Sequence, residues 1–262
     1  MIKKSFQTIC LLIMLSILIS SVAYAFVHET KTQTVTQTIL RAHQQVTFVS
    51  AGTGSGSGSG DVTPGYPSGL TANDLILLQV VVKGDSPTIA TPAGFTLLYG
   101  PDSSTTSGTQ RTTQAIYYKF AAGGETGSVT VHITQTTIVG RGARMYAFRN
   151  VALTSFTEGG GVGIEHNNVN KAQTVTTSGV KRLAVSFEAI GDNPLLGNFG
   201  GETGGNWLLA PSGNWFNGNQ GTSLFDLALQ TATMDSQGTI SGGTDSHSPC
   251  DWIVRSFALI PS

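Results

Sequence analysis

His247, Cys250 and Asp251 are the densest grouping of base, nucleophile and acid in the chain. Nucleophilic catalysis needs the base within hydrogen-bond reach of the thiol and a third group orienting that base. Neighbours along a turn or strand start do not converge in that way, and Pro249 stiffens the segment, so the trio reads as a loop entering the last strand. Glu125, Glu188 and Glu202 raise a second possibility, a glycoside hydrolase, whose two carboxyl groups must stand a fixed distance apart across a cleft. Glu188 falls in an expected strand, shares a face with Ala184, Ser186 and Ile190, and could line a concave sheet face. Glu125 lies in a Gly-Gly-Glu-Thr-Gly turn and reads as solvated. His28, His43, His132, His166 and His247 are scattered, with no pair at zinc-ligand spacing. Asp235 or Asp245 with loop carbonyls would offer calcium an isolated contact, outside any calcium-loop motif. The expectation is a chain with no catalytic residue, no metal and no cofactor.

Residues 205–221 read GNWLLAPSGNWFNGNQG and form the most suggestive binding patch. Trp207, Trp215 and Phe216 alternate with amides, among them Asn214 and Asn217. An apolar platform with a few placed polar groups suits a glycan, whose ring face stacks on aromatics while amides bond its hydroxyls. Trp207 has a competing reading as a core residue, since it matches Phe95 in the repeat described below.

These side chains need a scaffold, and the scaffold begins with an export signal. Lys3 and Lys4 precede an apolar run from Ile9 to Ile19, and Ala23-Tyr24-Ala25 supplies small residues where a signal peptidase reads. The run is shorter than the ~20 residues of a spanning helix, so residues 1–25 are expected to be removed, leaving nothing that spans a membrane. The protein is then secreted, extracellular or on the cell surface. Cys10 leaves with the signal, which leaves Cys250 without an intrachain disulfide partner and expected to be buried as a small hydrophobe. Only 11% of residues are charged, against about 25% in ordinary soluble domains. No basic patch exists to neutralise phosphates, which excludes a nucleic-acid partner. Little self-repulsion opposes assembly with further copies of the chain.

Residues 26–45 are polar and Thr-rich. Thr32, Thr34 and Thr36 fall on one side of an extended chain, and Val35 and Ile39 on the other. Thr favours strands through its branched Cβ. This segment is expected to be an edge strand, a leader, or an assembly strand donated to a neighbouring molecule. Residues 46–262 form the main domain, with residues 52–60 (GTGSGSGSG) read as a flexible Gly/Ser loop inside it.

Within 46–262 helical periodicity is nearly absent, and alternation bounded by Gly, Asn, Pro and Ser predicts strands. They fall at 74–83, 95–99, 112–120, 128–134, 143–149, 172–177, 182–190, 206–209, 222–230, 239–242 and 252–260. The first carries Leu75, Leu77, Gln79 and Val81 on one face and Ile76, Leu78, Val80 and Val82 on the other, so both faces must be covered. The series LILLQVVVKGD, GFTLLYGP, TTQAIYYKF and ARMYAFRNV is echoed by RLAVSFEAIGD, GNWLLAPS, TSLFDLALQ and WIVRSFALIP. This aligns Leu75 with Leu183, Phe95 with Trp207, Tyr117 with Leu227 and Phe148 with Phe257. The fold class expected is all-β: a two-sheet antiparallel sandwich of jelly-roll type, built from two pseudo-repeats that fold as one domain.

From Val46 onward the chain resembles a loosely defined set of secreted bacterial and phage-associated β-sandwich surface proteins. The resemblance rests on TANDLILLQVVV, TPAGFTLLYG, AIYYKF with AAGGETGSVTV, ARMYAFRNV and WIVRSFALIPS. It implies a jelly-roll-like sandwich on a surface or appendage and carries no catalytic assignment. The expectation for function is therefore a non-enzymatic structural or adhesive surface protein, in its sharper form a fibre subunit assembling by N-terminal strand addition. A carbohydrate-binding module is the alternative and a glycoside hydrolase the third. The expected partner is the protein itself or a surface glycan.

Overall fold

A computed structural model describes residues 44–106, 111–135, 139–191, 200, 203–209, 215–217 and 225–262. The chain divides into Met1–Gln44 and Gln45–Ser262, and the architecture below is that of the second unit. Its strands are β1 (Thr47–Ala51), β2 (Ser55–Ser57), β3 (Leu75–Lys83), β4 (Thr88–Ile89), β5 (Thr96–Ser103), β6 (Thr112–Phe120), β7 (Ile133–Thr134) and β8 (Gly140–Arg149), followed by β9 (Thr157–Lys171), β10 (Val175–Thr177), β11 (Arg182–Ile190), β12 (Leu208–Leu209), β13 (Trp215–Asn217), β14 (Asp226–Met234), β15 (Gly238–Ile240) and β16 (Thr244–Leu259). The described residues contain no helix, and hence none long and apolar enough to cross a membrane.

The protein is an all-β sandwich. One sheet runs β1-β8-β3-β6-β5 with β2 also on β8, and the other β12-β14-β11-β16-β9 with β13 also on β14. Every strand pairing within them is antiparallel. The main strands of each sheet come from one half of the chain, so the chain passes between them once, from Arg149 to Thr157. A jelly roll would exchange strands between its sheets along the sequence. Here the two sheets instead repeat one strand order, with β1, β8, β3, β6 and β5 standing where β9, β16, β11, β14 and β12 stand.

Three apolar layers explain why β3 is hydrophobic on both faces. Its Leu75, Leu77 and Val81 join Ile116, Tyr146 and Phe148 against Val185, Phe187, Leu229, Ile253 and Phe257, forming the core between the sheets. Phe187 stacks on Phe257 with ring centroids 5.9 Å apart and meets Tyr146 edge-on at 5.7 Å. The opposite face of β3, with Ile76, Leu78, Val80 and Val82, packs against Phe95, Tyr117, Val131 and Ile133 in a second core. The outer face of the other sheet has a third, in which Ala184, Ile190, Cys250 and Trp252 pack with Trp207, Val175 and Ile240. The paired strands β10 and β15 contribute Val175 and Ile240 to that layer.

Two expectations about local structure change. The Gly/Ser stretch 52–60 is not simply a connector, because Ser55–Ser57 pairs with Arg141–Ala143 as the continuation of β1 along β8. A Cβ on Gly52 would stand only 2.0 Å from the Gly65 carbonyl oxygen, so the close crossing of two backbones accounts for glycine there. The segment around His247 and Pro249 is not an entry loop but lies inside β16, where pairing with β9 shifts register between Ser246 and Cys250. Of the aligned positions, Phe95 and Trp207 both sit in outer cores and Phe148 and Phe257 both face inward. Tyr117 and Leu227 face opposite layers, so that alignment is displaced by an odd number of residues.

Candidate functional site: a polar seam between the sheets

Alternation along β16 sends Asp251, Ile253, Arg255 and Phe257 towards the first sheet and Cys250, Trp252 and Val254 towards the outer layer. Cys250 and Asp251 therefore leave the strand on opposite sides. The Cys250 thiol is buried in the outer core, as expected of a small hydrophobe, and cannot meet Asp251 in a nucleophilic arrangement. The partner the structure gives Asp251 is His166, directly opposite on β9.

Asp251 is fully buried and is the centre of the seam. His166 Nδ1 donates to its Oδ1 at 2.6 Å. Its Oδ2 accepts from Ser104 Oγ at 2.5 Å and from the Thr106 hydroxyl, both on the chain leaving β5 in the opposite sheet. Ser104 Oγ in turn accepts from the Thr112 N–H at 2.9 Å. Further polar side chains bridge the same gap. Gln79 Nε2 donates to the Glu188 carbonyl at 2.7 Å and Gln114 Nε2 to the Phe187 carbonyl at 3.4 Å. Arg255 pairs with Asp102 at 2.6 Å while its guanidinium lies 4.9 Å from the Tyr99 ring centroid. Tyr99 Oη donates to Thr157 Oγ1 at 3.3 Å. One end of the interior is thus cross-linked by hydrogen bonds, while the other is filled by Leu75, Phe148, Phe156 and Leu259.

The order of groups decides what the seam can do. A hydrolytic triad places imidazole between carboxylate and hydroxyl, so that the ring takes the hydroxyl proton. Here the carboxylate stands between the imidazole and the hydroxyls, and Ser104 and Thr106 donate to Asp251 rather than to His166. The arrangement holds two sheets together and orients a half-exposed imidazole at the rim.

Of the carboxylates considered for glycoside hydrolysis, the two described, Glu188 and Glu125, do not converge. Glu188 shares its face with Ala184, Ser186 and Ile190 as read from the sequence, but that face is sealed, and the fully buried carboxylate accepts from Gln230 Nε2 at 2.5 Å. Glu125 is not solvated: its side chain is 8% exposed. It caps its own turn, accepting from the N–H groups of Ala122 at 2.7 Å and Gly123 at 3.1 Å, with Lys119 at 3.3 Å. Burial alone would raise its pKa, but the backbone donors and Lys119 outweigh it and hold the carboxyl below its ordinary value. Glu202 lies outside the described residues. Among the described residues no cluster of His, Cys, Asp and Glu could hold a metal ion.

Trp207 is buried in the outer core with its indole N–H donating to the Ser241 carbonyl at 3.4 Å, which removes its ring from any surface platform. Trp215, Phe216 and Asn217 form β13, paired with Ala228, Leu227 and Asp226 of β14. Asn214, and the assembly-strand positions Thr32, Thr34, Val35, Thr36 and Ile39, lie outside the described residues. A pocket of about 320 Å³ at one end of the first sheet is lined by Thr71, Asn73, Asp74, Arg149, Leu153 and the C-terminal Ser262. Arg149 grips Asp74 there through Nε at 2.9 Å and Nη2 at 2.7 Å.

His166, Ser104 and Thr106 escaped the sequence reading. The available signal was the alternation Val162, Ile164, His166, which places the imidazole on the inward face of β9. The chain matches no protein-family model, no curated protein and no solved structure.

Proposed function

We propose that this is a secreted, non-enzymatic structural or adhesive surface protein whose residues 26–45 add as a strand to the sheet of a neighbouring copy. The observation that carries the reading is the polar seam. The most acid-base-rich contact between the sheets has its carboxylate in the middle, as a cross-link rather than a catalytic relay. The buried Asp251 carboxylate is bonded at both oxygens, and such a buried link rigidifies a fold, which suits a load-bearing subunit. The shared strand order of the two sheets supports reading the body as two repeats. An alternating Thr-rich segment immediately before β1 supplies what strand addition requires, backbone hydrogen bonds for affinity and alternate side chains for register.

Light scattering on the chain from Phe26 and on the chain from Gln45 tests the proposal. The longer chain assembles as concentration rises, and the shorter stays monomeric and folded. A longer chain that remains monomeric at high concentration ends the assembly reading. A glycan role would rest on Trp215 and Phe216, and an array probed with the unmodified protein decides it.

A further inference from the structure

We propose that the seam between the sheets is a binding site for a buried water molecule, which accepts a hydrogen bond from Arg255 Nε and donates to Gln114 Oε1, with the Thr112 hydroxyl as its third partner. The site belongs to the body of the fold and is independent of the assembly reading above.

Among the described residues, Gln114 Oε1, Thr112 Oγ1 and Arg255 Nε are buried atoms to which the protein gives no hydrogen-bond partner. Gln114 is 1% exposed and Thr112 is fully buried. A buried polar atom left unpaired carries the whole cost of leaving solvent. Native interiors therefore satisfy such atoms, either with protein groups or with ordered water.

The elements that meet here bring a donor and an acceptor into one circuit. Gln114 of β6 stands beside Asp102 of β5. Asp102 accepts from Arg255 Nη2 at 2.6 Å across the gap. Arg255 of β16 stands beside Phe187 of β11. The Phe187 carbonyl accepts from Gln114 Nε2 at 3.4 Å, which crosses the gap again and closes the circuit. Arg255 Nε and Gln114 Oε1 are the unused donor and the unused acceptor of these four residues. Thr112 lies two residues before Gln114 in β6, so its hydroxyl is next along the same inward face.

Gln79 shows the same bridge completed within the protein. It donates from Nε2 to the Glu188 carbonyl at 2.7 Å, and its Oε1 accepts from Tyr146 Oη at 3.4 Å. Gln114 spans the gap one residue away on β11 but has no such hydroxyl for its Oε1. Val81, directly opposite Gln114 on β3, and Ile116 and Ile253, next along the inward faces of β6 and β16, are buried and apolar, so none supplies a side-chain donor.

The mixture of groups selects the ligand. A metal cation would face the Arg255 guanidinium and would find far fewer oxygens than the about six to eight that calcium takes. An anion would face the Gln114 carbonyl oxygen and the Asp102 carboxylate. Water both accepts and donates, and a buried water is held by about three hydrogen bonds, as many as these three atoms supply.

A crystal structure of the chain from Phe26, at a resolution that shows ordered water, tests the site. A solvent peak should lie about 2.7–3.2 Å from both Arg255 Nε and Gln114 Oε1. Bonding of these two atoms to each other or to other protein groups, with no solvent peak between them, overturns the proposal. Thr112→Val tests it in solution, because valine keeps the shape and removes the hydroxyl. A hydroxyl bonded to water loses that bond, so the urea midpoint should fall by about 0.3 M. An orphan hydroxyl is instead relieved by the same change. An unchanged or higher midpoint, in a variant with the circular-dichroism spectrum of the unmodified protein, overturns the hydrated site.

Discussion

Leu77→Ala in β3 should lower the unfolding midpoint reported by tryptophans that all lie in the other half of the molecule. Leu77 is fully buried in the core between the sheets, flanked by Tyr118 of β6 and Tyr146 of β8. Removing its branched end leaves a cavity in a layer closed on both sides, at a cost of about 3 kcal/mol for a leucine so enclosed. A domain of this size loses about 3 kcal/mol of stability per molar urea, so the midpoint should fall by about 1 M. Trp207, Trp215 and Trp252 are the three tryptophans of the chain. Trp207 and Trp252 pack on the outer face of the second sheet, and Trp215 is in β13 of that sheet. Their fluorescence should follow the substitution with the same shift as far-ultraviolet circular dichroism, because the sheets share one core. A tryptophan transition that stays within about 0.2 M of the unmodified protein, while circular dichroism reports early loss of strand, would refute a common interior.

Asp251→Ala should cost about 3 kcal/mol by leaving the Ser104 and Thr106 hydroxyls and the His166 ring without their acceptor. Urea titration checks it, and a loss under about 0.5 kcal/mol would deny the seam a structural role. Acid should destabilise the fold. Burial tends to raise Asp74, Glu125 and Glu158, but Arg149 with Thr71, the Ala122 N–H with Lys119, and Ser178 with Arg182 outweigh it and hold all three below their ordinary values. Carboxyls lowered by folding contribute fully above about pH 4 and lose that contribution as pH falls through the folded values. The melting temperature should therefore drop between about pH 4 and pH 2, less steeply in Asp74→Asn, and a melting temperature that rises on acidification would contradict this. Gly160→Ala should destabilise strongly, because φ is +84° and the new Cβ would stand 1.9 Å from the Ser256 carbonyl oxygen. Gly60→Ala has a similar φ of +79° but open space around it, and should cost only about 1 kcal/mol in the same melting experiment.

The strands legible in the sequence are those buried on both faces or strictly alternating. β6 and β11 were bounded to the residue, and β3 to within one, since runs such as LILLQVVV admit no other placement. Strand β9 was missed because TEGGGVGIEHNNVNK is rich in glycine and amide, and its one patterned stretch is only five residues long. The sequence pattern places β14 four residues early, because the Thr-rich TATM end reads as loop, whereas Ala232 and Met234 pack in the outer core. The seam was illegible for a different reason. Ser104 and Asp251 are 147 residues apart and His166 and Asp251 are 85 apart, and no local spacing announces a contact made only when two sheets close. His247, Cys250 and Asp251 are neighbours in sequence, but strand alternation sends Cys250 away from Asp251.

Negative-stain electron microscopy of the chain from Phe26, beside the chain from Gln45, tests the proposed role most directly. The account predicts filaments one sandwich wide from the longer chain and isolated particles from the shorter. Isolated particles from both, at concentrations where the longer chain is folded, would contradict it.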